Sequence, residues 1–154
     1  MGSLLLVCDV SGSMVEGGKR LTLRGLTRQV EQYFRLGYGR ERDLQLVLWA
    51  DEAAIHPWDP SDELPVEIFN CAGSASWGAL SDLLGTPEDT KILILTDGFW
   101  PNETHQSIKD WKQRLPNDSL RIVRVGADAN QRLRGTDVFE SEAFLSAMEG
   151  WLEE

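Results

Sequence analysis

The chain alternates between two kinds of hydrophobic pattern. In SLLLVCDV (3–10) and KILILT (91–96) the apolar residues run on almost without interruption, which predicts strands covered on both faces. DLQLVLWA (43–50) reads as another strand, and 53–58 as a short one that Pro57 confines to a sheet edge. SLRIVRV (119–125) alternates, as a half-covered strand does. Other stretches carry the helical period: Leu23, Leu26, Val30, Tyr33 and Phe34 within 19–36, stopped by Gly37; Ile108, Trp111 and Leu115 within 102–115; Phe144, Leu145, Met148, Trp151 and Leu152 within 141–152. A short helix over 77–84 ends near Gly85, and Asn102 is placed to N-cap the helix it opens. The polar stretch 61–71, with Pro65, reads as mostly loop.

Strands that alternate with helices predict an α/β fold: a three-layer, doubly wound (Rossmann-like), mostly parallel sheet with helices on both faces and one antiparallel edge strand. With 154 residues and no repeat, linker or low-complexity segment, residues 1–154 are expected to form a single domain. In such sheets ligands sit beyond the carboxyl ends of the strands, where the strand order reverses.

Composition narrows the function. Hydrophobic residues at 42% and charged residues at 26% exclude disordered and fibrous classes. The net charge of −10, from 15 basic and 25 acidic residues, argues against nucleic acid and favours cations near the surface. Two cysteines, Cys8 and Cys71, make neither a disulfide framework nor a metal spacing, and Cys8 reads as a small buried hydrophobe. The apolar run at 4–8 is too short for a secretion signal, and no stretch approaches the roughly 18 apolar residues of a membrane span. A cytoplasmic, membrane-free location is the expectation.

Three segments carry candidate chemistry, and each falls where a strand ends or a helix starts: Asp9-Val10-Ser11-Gly12-Ser13, Gly73-Ser74-Ala75-Ser76-Trp77, and Thr96-Asp97-Gly98. Two carboxylates and three hydroxyls offer oxygen alone, a donor set that suits Mg²⁺ or Mn²⁺ better than zinc or copper. Asp9 and Asp97 would repel each other without a cation between them. An ion held partly by hydroxyls and water stays electrophilic and would accept a carboxylate from outside.

Asp9-Val10-Ser11-Gly12-Ser13-Met14 resembles the DxSxS motif of the von Willebrand factor A domain, at that family's metal-ion-dependent adhesion site. Ser74 falls where the family has a threonine, and Asp97 at its later aspartate; the likeness continues through 121–127 and 139–151 and covers essentially the whole chain. The resemblance implies that Ser11, Ser13 and Ser74 contact the metal directly or nearly so, and that Asp9 and Asp97 act largely through water. Ser76 is the alternative to Ser74 if the loop aligns differently.

The expected function is that of a non-enzymatic binding module whose Mg²⁺ or Mn²⁺ captures an Asp, a Glu or a terminal carboxylate of a partner protein. Intracellular microbial members of the family often work beside AAA+ ATPases, so the resemblance implies a component of such a system as partner, with the domain itself a monomer. Trp77 and Trp100 flank the site segments and are either partner-contacting anchors or loop residues packed on the core; Trp49, Trp111 and Trp151 read as core. His56 and His105 read as surface or loop residues. The alternative is a Mg²⁺-dependent hydrolase or phosphatase-like enzyme, although the chain lacks GxSxG, a P-loop and a histidine after His105. The metal reading requires the three segments to converge, and it requires that no buried lysine or arginine satisfy the aspartate pair.

Overall fold

The computed structural model describes residues 2–36, 42–56, 58–59, 63 and 70–152. The elements are β1 (Gly2–Asp9), α1 (Lys19–Arg35), β2 (Arg42–Trp49), β3 (Ala53–His56), α2 (Trp77–Leu84), β4 (Thr90–Thr96), α3 (Asn102–Arg114), β5 (Leu120–Arg124), β6 (Val138–Glu140) and α4 (Phe144–Met148). Single 3₁₀ turns at Gly12–Val15 and Ser141–Ala143 precede α1 and α4. Among the described residues no helix is long and apolar enough to cross a membrane.

The strands form one six-stranded sheet in the order β3-β2-β1-β4-β5-β6, parallel except for β3, which pairs antiparallel with β2 at the edge. The sequence pattern explains this arrangement. Side chains along β1 point alternately to opposite faces. Leu4, Leu6 and Cys8 meet Leu23, Leu26 and Val30 of α1 and Phe144 and Met148 of α4. Leu5 and Val7 belong to the other layer, with Leu80 and Leu84 of α2 and Ile108 and Trp111 of α3. Every residue from Leu4 to Asp9 is buried, which is why its apolar run is unbroken.

Four details depart from the pattern of apolar positions. That pattern carries no sign of β6: three residues long, it follows a loop of irregular backbone and lies parallel to β5. β5 is therefore interior, and its alternation arises from two arginines with specific partners. Arg121 donates to the Ala147 carbonyl at 2.6 Å and its guanidinium stacks 4.8 Å from the Trp151 ring; Arg124 donates to the Leu133 carbonyl at 3.1 Å. The last helix spans only Phe144–Met148, because the chain turns at Glu149 and Gly150 adopts φ +74°; Trp151 and Leu152 are buried from that turn rather than from the helix. Asn102 opens α3 without capping it: Pro101 holds the cap position, and Asn102 Oδ1 accepts from Arg132. Pro57 and most of 61–71 lie outside the described residues.

The chain runs from β1 outward to β2 and β3, then crosses back to β4 on the other side of β1. The strand order reverses between β1 and β4, and it is beyond the carboxyl ends of strands at such a reversal that doubly wound folds place their ligands. β1 ends in Asp9 and β4 is followed by Asp97.

Candidate metal centre

Both aspartates are fully buried. Asp9 is held by neutral donors: its Oδ1 accepts from the Ser11 amide at 2.9 Å and the Ser11 hydroxyl at 2.6 Å, and its Oδ2 from the Thr96 hydroxyl at 2.6 Å. Burial raises the Asp9 carboxyl above its ordinary value, the bonds from Ser11 and Thr96 oppose that rise, and the Asp97 charge adds to it. Ser13 lies beside Ser11, their hydroxyl oxygens 3.4 Å apart.

The second segment meets the first through its backbone. The Ala72 amide donates to the Val10 carbonyl at 2.9 Å, and the Gly12 amide to the Gly73 carbonyl at 2.8 Å. Gly73 has φ +77°, and a Cβ there would collide with the Asp51 carboxylate, so both its conformation and its space call for glycine. Asp51 Oδ1 accepts from the Ser74 amide at 3.1 Å and fixes the loop. Ser74 is exposed. Ser76 Oγ accepts from the Ala79 amide at 3.2 Å and caps α2, and the Trp49 indole donates to the Ser76 carbonyl at 2.8 Å. The Ser76 side chain thus serves the helix.

The third segment is fixed from both sides. The Gly98 amide donates to Thr96 Oγ1 at 3.0 Å, and the Phe99 amide to Asp97 Oδ1 at 3.2 Å. The Asn130 amide donates to the Asp97 carbonyl at 2.8 Å, while its side-chain amide reaches the Gly98 carbonyl at 2.9 Å. His105 is half-buried on α3, with Nε2 3.1 Å from that same carbonyl.

Lys19, at the start of α1, is 1% exposed and points into the site. Its ammonium donates to Asp97 Oδ2 at 3.1 Å and to the Ser13 carbonyl at 3.4 Å, and it lies 3.2 Å from Asp128 Oδ1. Burial alone would lower its pKa, but the Asp97 and Asp128 carboxylates outweigh that and raise it, so Lys19 is charged.

No family model matches the sequence, and no curated protein is detectably similar to it. Solved structures do match. Proximal thread matrix protein 1 from the mussel byssus, solved with a zinc-occupied MIDAS motif, superposes with TM-score 0.58 at 16% identity, over 95% of this chain and 44% of that one. Manganese-loaded TRAP from Plasmodium vivax gives TM-score 0.57 at 13% identity, over 99% of this chain and 73% of that one. BatB from Bacteroides thetaiotaomicron gives 0.52 at 11%, over 80% and 66%. The fold is that of the von Willebrand factor A domain. The chain spans less than half the length of the byssus protein, and identities this low speak for the fold alone.

Within this von Willebrand factor A fold the three predicted segments meet. Two ligands side by side on an octahedral ion with bonds of about 2.0–2.1 Å stand about 3 Å apart, so the Ser11–Ser13 hydroxyl pair suits a shared ion. Among the described residues no group of three or more His, Cys, Asp or Glu could hold a metal, so hydroxyls and water would have to complete any shell. Cys8, next to Asp9, is no candidate: burial pushes its thiol up to about 12. The condition set for the metal reading, that no buried lysine or arginine satisfy the aspartate pair, fails at Asp97, where the buried Lys19 ammonium pairs with the carboxylate, and holds at Asp9, whose donors among the described residues are neutral. Nothing in the residue pattern signals Lys19, since lysines are rarely buried, nor Asp51 and Asp128 as supporting groups; Thr96 lay within a predicted segment, but its bond to Asp9 was not foreseen.

Of the two readings of Trp77 and Trp100, the structure favours packing on the core for Trp100. Trp100 is 7% exposed and packs between Trp49 (ring centroids 5.7 Å apart) and His105 (4.9 Å), so it belongs to the core beneath the site. Trp77 is half-buried against Trp111 at 5.2 Å. The exposed aromatic beside Asp97 is Phe99, at 49%.

This geometry yields three expected outcomes. Trp100→Ala should lose roughly 3–5 kcal/mol of stability in urea unfolding, and Ser76→Ala about 1 kcal/mol through the lost helix cap; values within about 0.3 kcal/mol of wild type would remove Trp100 from the core and Ser76 from the cap. Burial lowers the pKa of His105, the bond to the Gly98 carbonyl opposes this, and Arg132 and Lys109 add to the lowering. Its folded-state value lies below the unfolded one, so its contribution is complete above the ordinary 6.5 and is lost as pH falls through and below it. The melting temperature should therefore drop further in wild type than in His105→Gln between about pH 7.5 and 5.5. Equal drops would show that His105 titrates alike in both states.

Proposed function

We propose that this chain is a divalent-cation-dependent protein-binding module. The observation that carries the reading is the Ser11–Ser13 hydroxyl pair, 3.4 Å apart, beside two buried aspartates at the point where the strand order reverses. The Ser11, Ser13 and Ser74 hydroxyls contact the ion, and Asp9 and Asp97 hold it largely through water. The ion is Mg²⁺ or Mn²⁺; structural neighbours named as zinc-occupied and manganese-loaded support a divalent occupant without choosing among metals.

A bound divalent cation supplies Lewis acidity toward an incoming oxygen ligand, here an Asp, a Glu or a terminal carboxylate of a partner protein. The chain's own residues set the geometry. Asp9 orients the Ser11 hydroxyl by accepting a hydrogen bond from it at 2.6 Å, which leaves the serine oxygen's lone pairs free for an ion. Phe99, exposed at the rim, replaces Trp100 as the aromatic that a partner would cover. The partner is a component of an AAA+ ATPase system, met by a monomeric domain in the cytoplasm. A hydrolase reading finds little support, since His105 faces the Gly98 carbonyl and neither serine.

Mg²⁺ or Mn²⁺ at a hundredfold excess over Kd should add about 2.7 kcal/mol to stability, a rise in Tm on the order of 5–10 °C, reversed by EDTA. Ser13→Ala should abolish the rise while leaving the metal-free Tm nearly unchanged. Asp97→Ala is the poorer probe, because it also strands the Lys19 ammonium. A melting curve that is the same with Mg²⁺, Mn²⁺ or EDTA would end this reading. Phe99→Ala should weaken metal-dependent capture of the partner with less than about 1 kcal/mol lost in stability.

A further inference from the structure

We propose that Lys19 is a tethered counter-cation of the metal site, so that its docking and the binding of a divalent ion exclude one another and Lys19 sets the metal affinity. This rests on the function proposed above.

The two sets of ligands share Asp97 and adjoin at Ser13. The ammonium takes Asp97 Oδ2 and the Ser13 carbonyl; the ion would take the Ser13 hydroxyl and, through water, Asp97. Charge decides whether both can stay. Asp9 and Asp97 bring −2 into a buried site. Over these two carboxylates alone, Lys19 leaves −1, a divalent ion 0 and the two together +1, with like charges a few ångströms apart. Asp128, 62% exposed and 3.2 Å from the ammonium, can offset the lysine's charge from the solvent side, so an ion at Asp97 favours the ammonium on Asp128 over the ammonium on Asp97.

The inward position of Lys19 is built into the chain. Gly17 and Gly18 adopt φ +60° and +75° just before α1, and they bring the first helical residue over the site. Gly126, at φ +100°, lies against the lysine stem; a Cβ there would stand 2.8 Å from Lys19 Cε and 3.0 Å from Cγ. The Phe99 ring centroid is 5.0 Å from Nζ. An exit is also present: Asp128 is 62% exposed and already lies 3.2 Å from the ammonium, so Lys19 can keep Asp128 while it releases Asp97 toward solvent.

The apparent affinity of the ion is then reduced by the fraction of molecules in which Lys19 has moved out. If that fraction is about 0.1–10%, removing the charge raises affinity by about 10- to 1,000-fold. Lys19→Met keeps the length of the side chain and removes its charge. Titration calorimetry of the full chain with Mn²⁺ should show that gain, together with a lower metal-free Tm that saturating Mn²⁺ restores. Lys19→Arg should bind no more tightly than wild type. A Lys19→Met protein that binds Mn²⁺ as wild type does would overturn the proposal and leave the metal site standing; absence of binding by both at millimolar Mn²⁺ would overturn the metal site as well. Amine acetylation of wild type, read by mass spectrometry, tests the same point without a variant. Lys19 should be protected in EDTA and become reactive in Mn²⁺, and unchanged protection would refute the exchange.

Discussion

Two buried carboxylates at neighbouring strand ends are the constraint around which this molecule is arranged. Asp9 and Asp97 cannot both be charged in that position unless positive charge or hydrogen bonds compensate them. The sheet creates the problem: winding from β1 to β2 and then back across to β4 puts the ends of β1 and β4 side by side. The nearby chain answers it with amides and hydroxyls for Asp9 and with an ammonium for Asp97. The glycines at 17, 18, 73 and 126 serve the same end, since each lets backbone or a charged side chain approach where a Cβ or an ordinary φ would not.

The layers were legible in the sequence because burial on both faces writes an unbroken apolar run, as in β1 and β4, and burial on one face of a helix writes the 3.6 period, as in α1 and α3. The edge position of β3 was legible from its shortness and Pro57. The features that escaped have a common cause, in that tertiary contacts made them. β6 is three residues long, too short for any period, and exists because β5 offers it a free edge. Arg121 and Arg124 lent β5 the look of a half-exposed strand, although carbonyl acceptors for both, and aromatic rings for Arg121, let them lie largely covered. The closing helix ends early through Gly150, whose positive φ no hydrophobic count detects.

The site divides in the same manner. The order and placement of its three segments could be read from strand ends, and the family resemblance pointed to the same residues. The choice between Ser74 and Ser76 could not, because both lie in one short loop; the Ala79 amide on Ser76 Oγ assigns that serine to the helix start. The loop position of Trp100 left surface anchor and core packing equally open, and Trp49 and His105 enclose it. Lys19 was the least legible of all. Lysine at the start of a helix reads as solvated, and only the contacts to Asp97, Asp128 and Ser13, made across the fold, turn it inward.

The rigid and adaptable halves of the site are separated along the chain. Asp9, Ser11 and Asp97 are buried and held by hydrogen bonds from the adjoining backbone and side chains, so the electrostatic half is fixed by the sheet. Ser74, Phe99 and Asp128 are exposed and stand on loops, so the rim of the site can vary without disturbing the buried carboxylates. Lys19 joins the halves, with its stem against Gly126, its charge on Asp97 and its nearest exposed acceptor at the rim. A substitution at the rim can therefore alter how readily the lysine leaves without touching an ion ligand. On the function proposed, metal affinity and partner contact would then be coupled through one side chain rather than through the sheet.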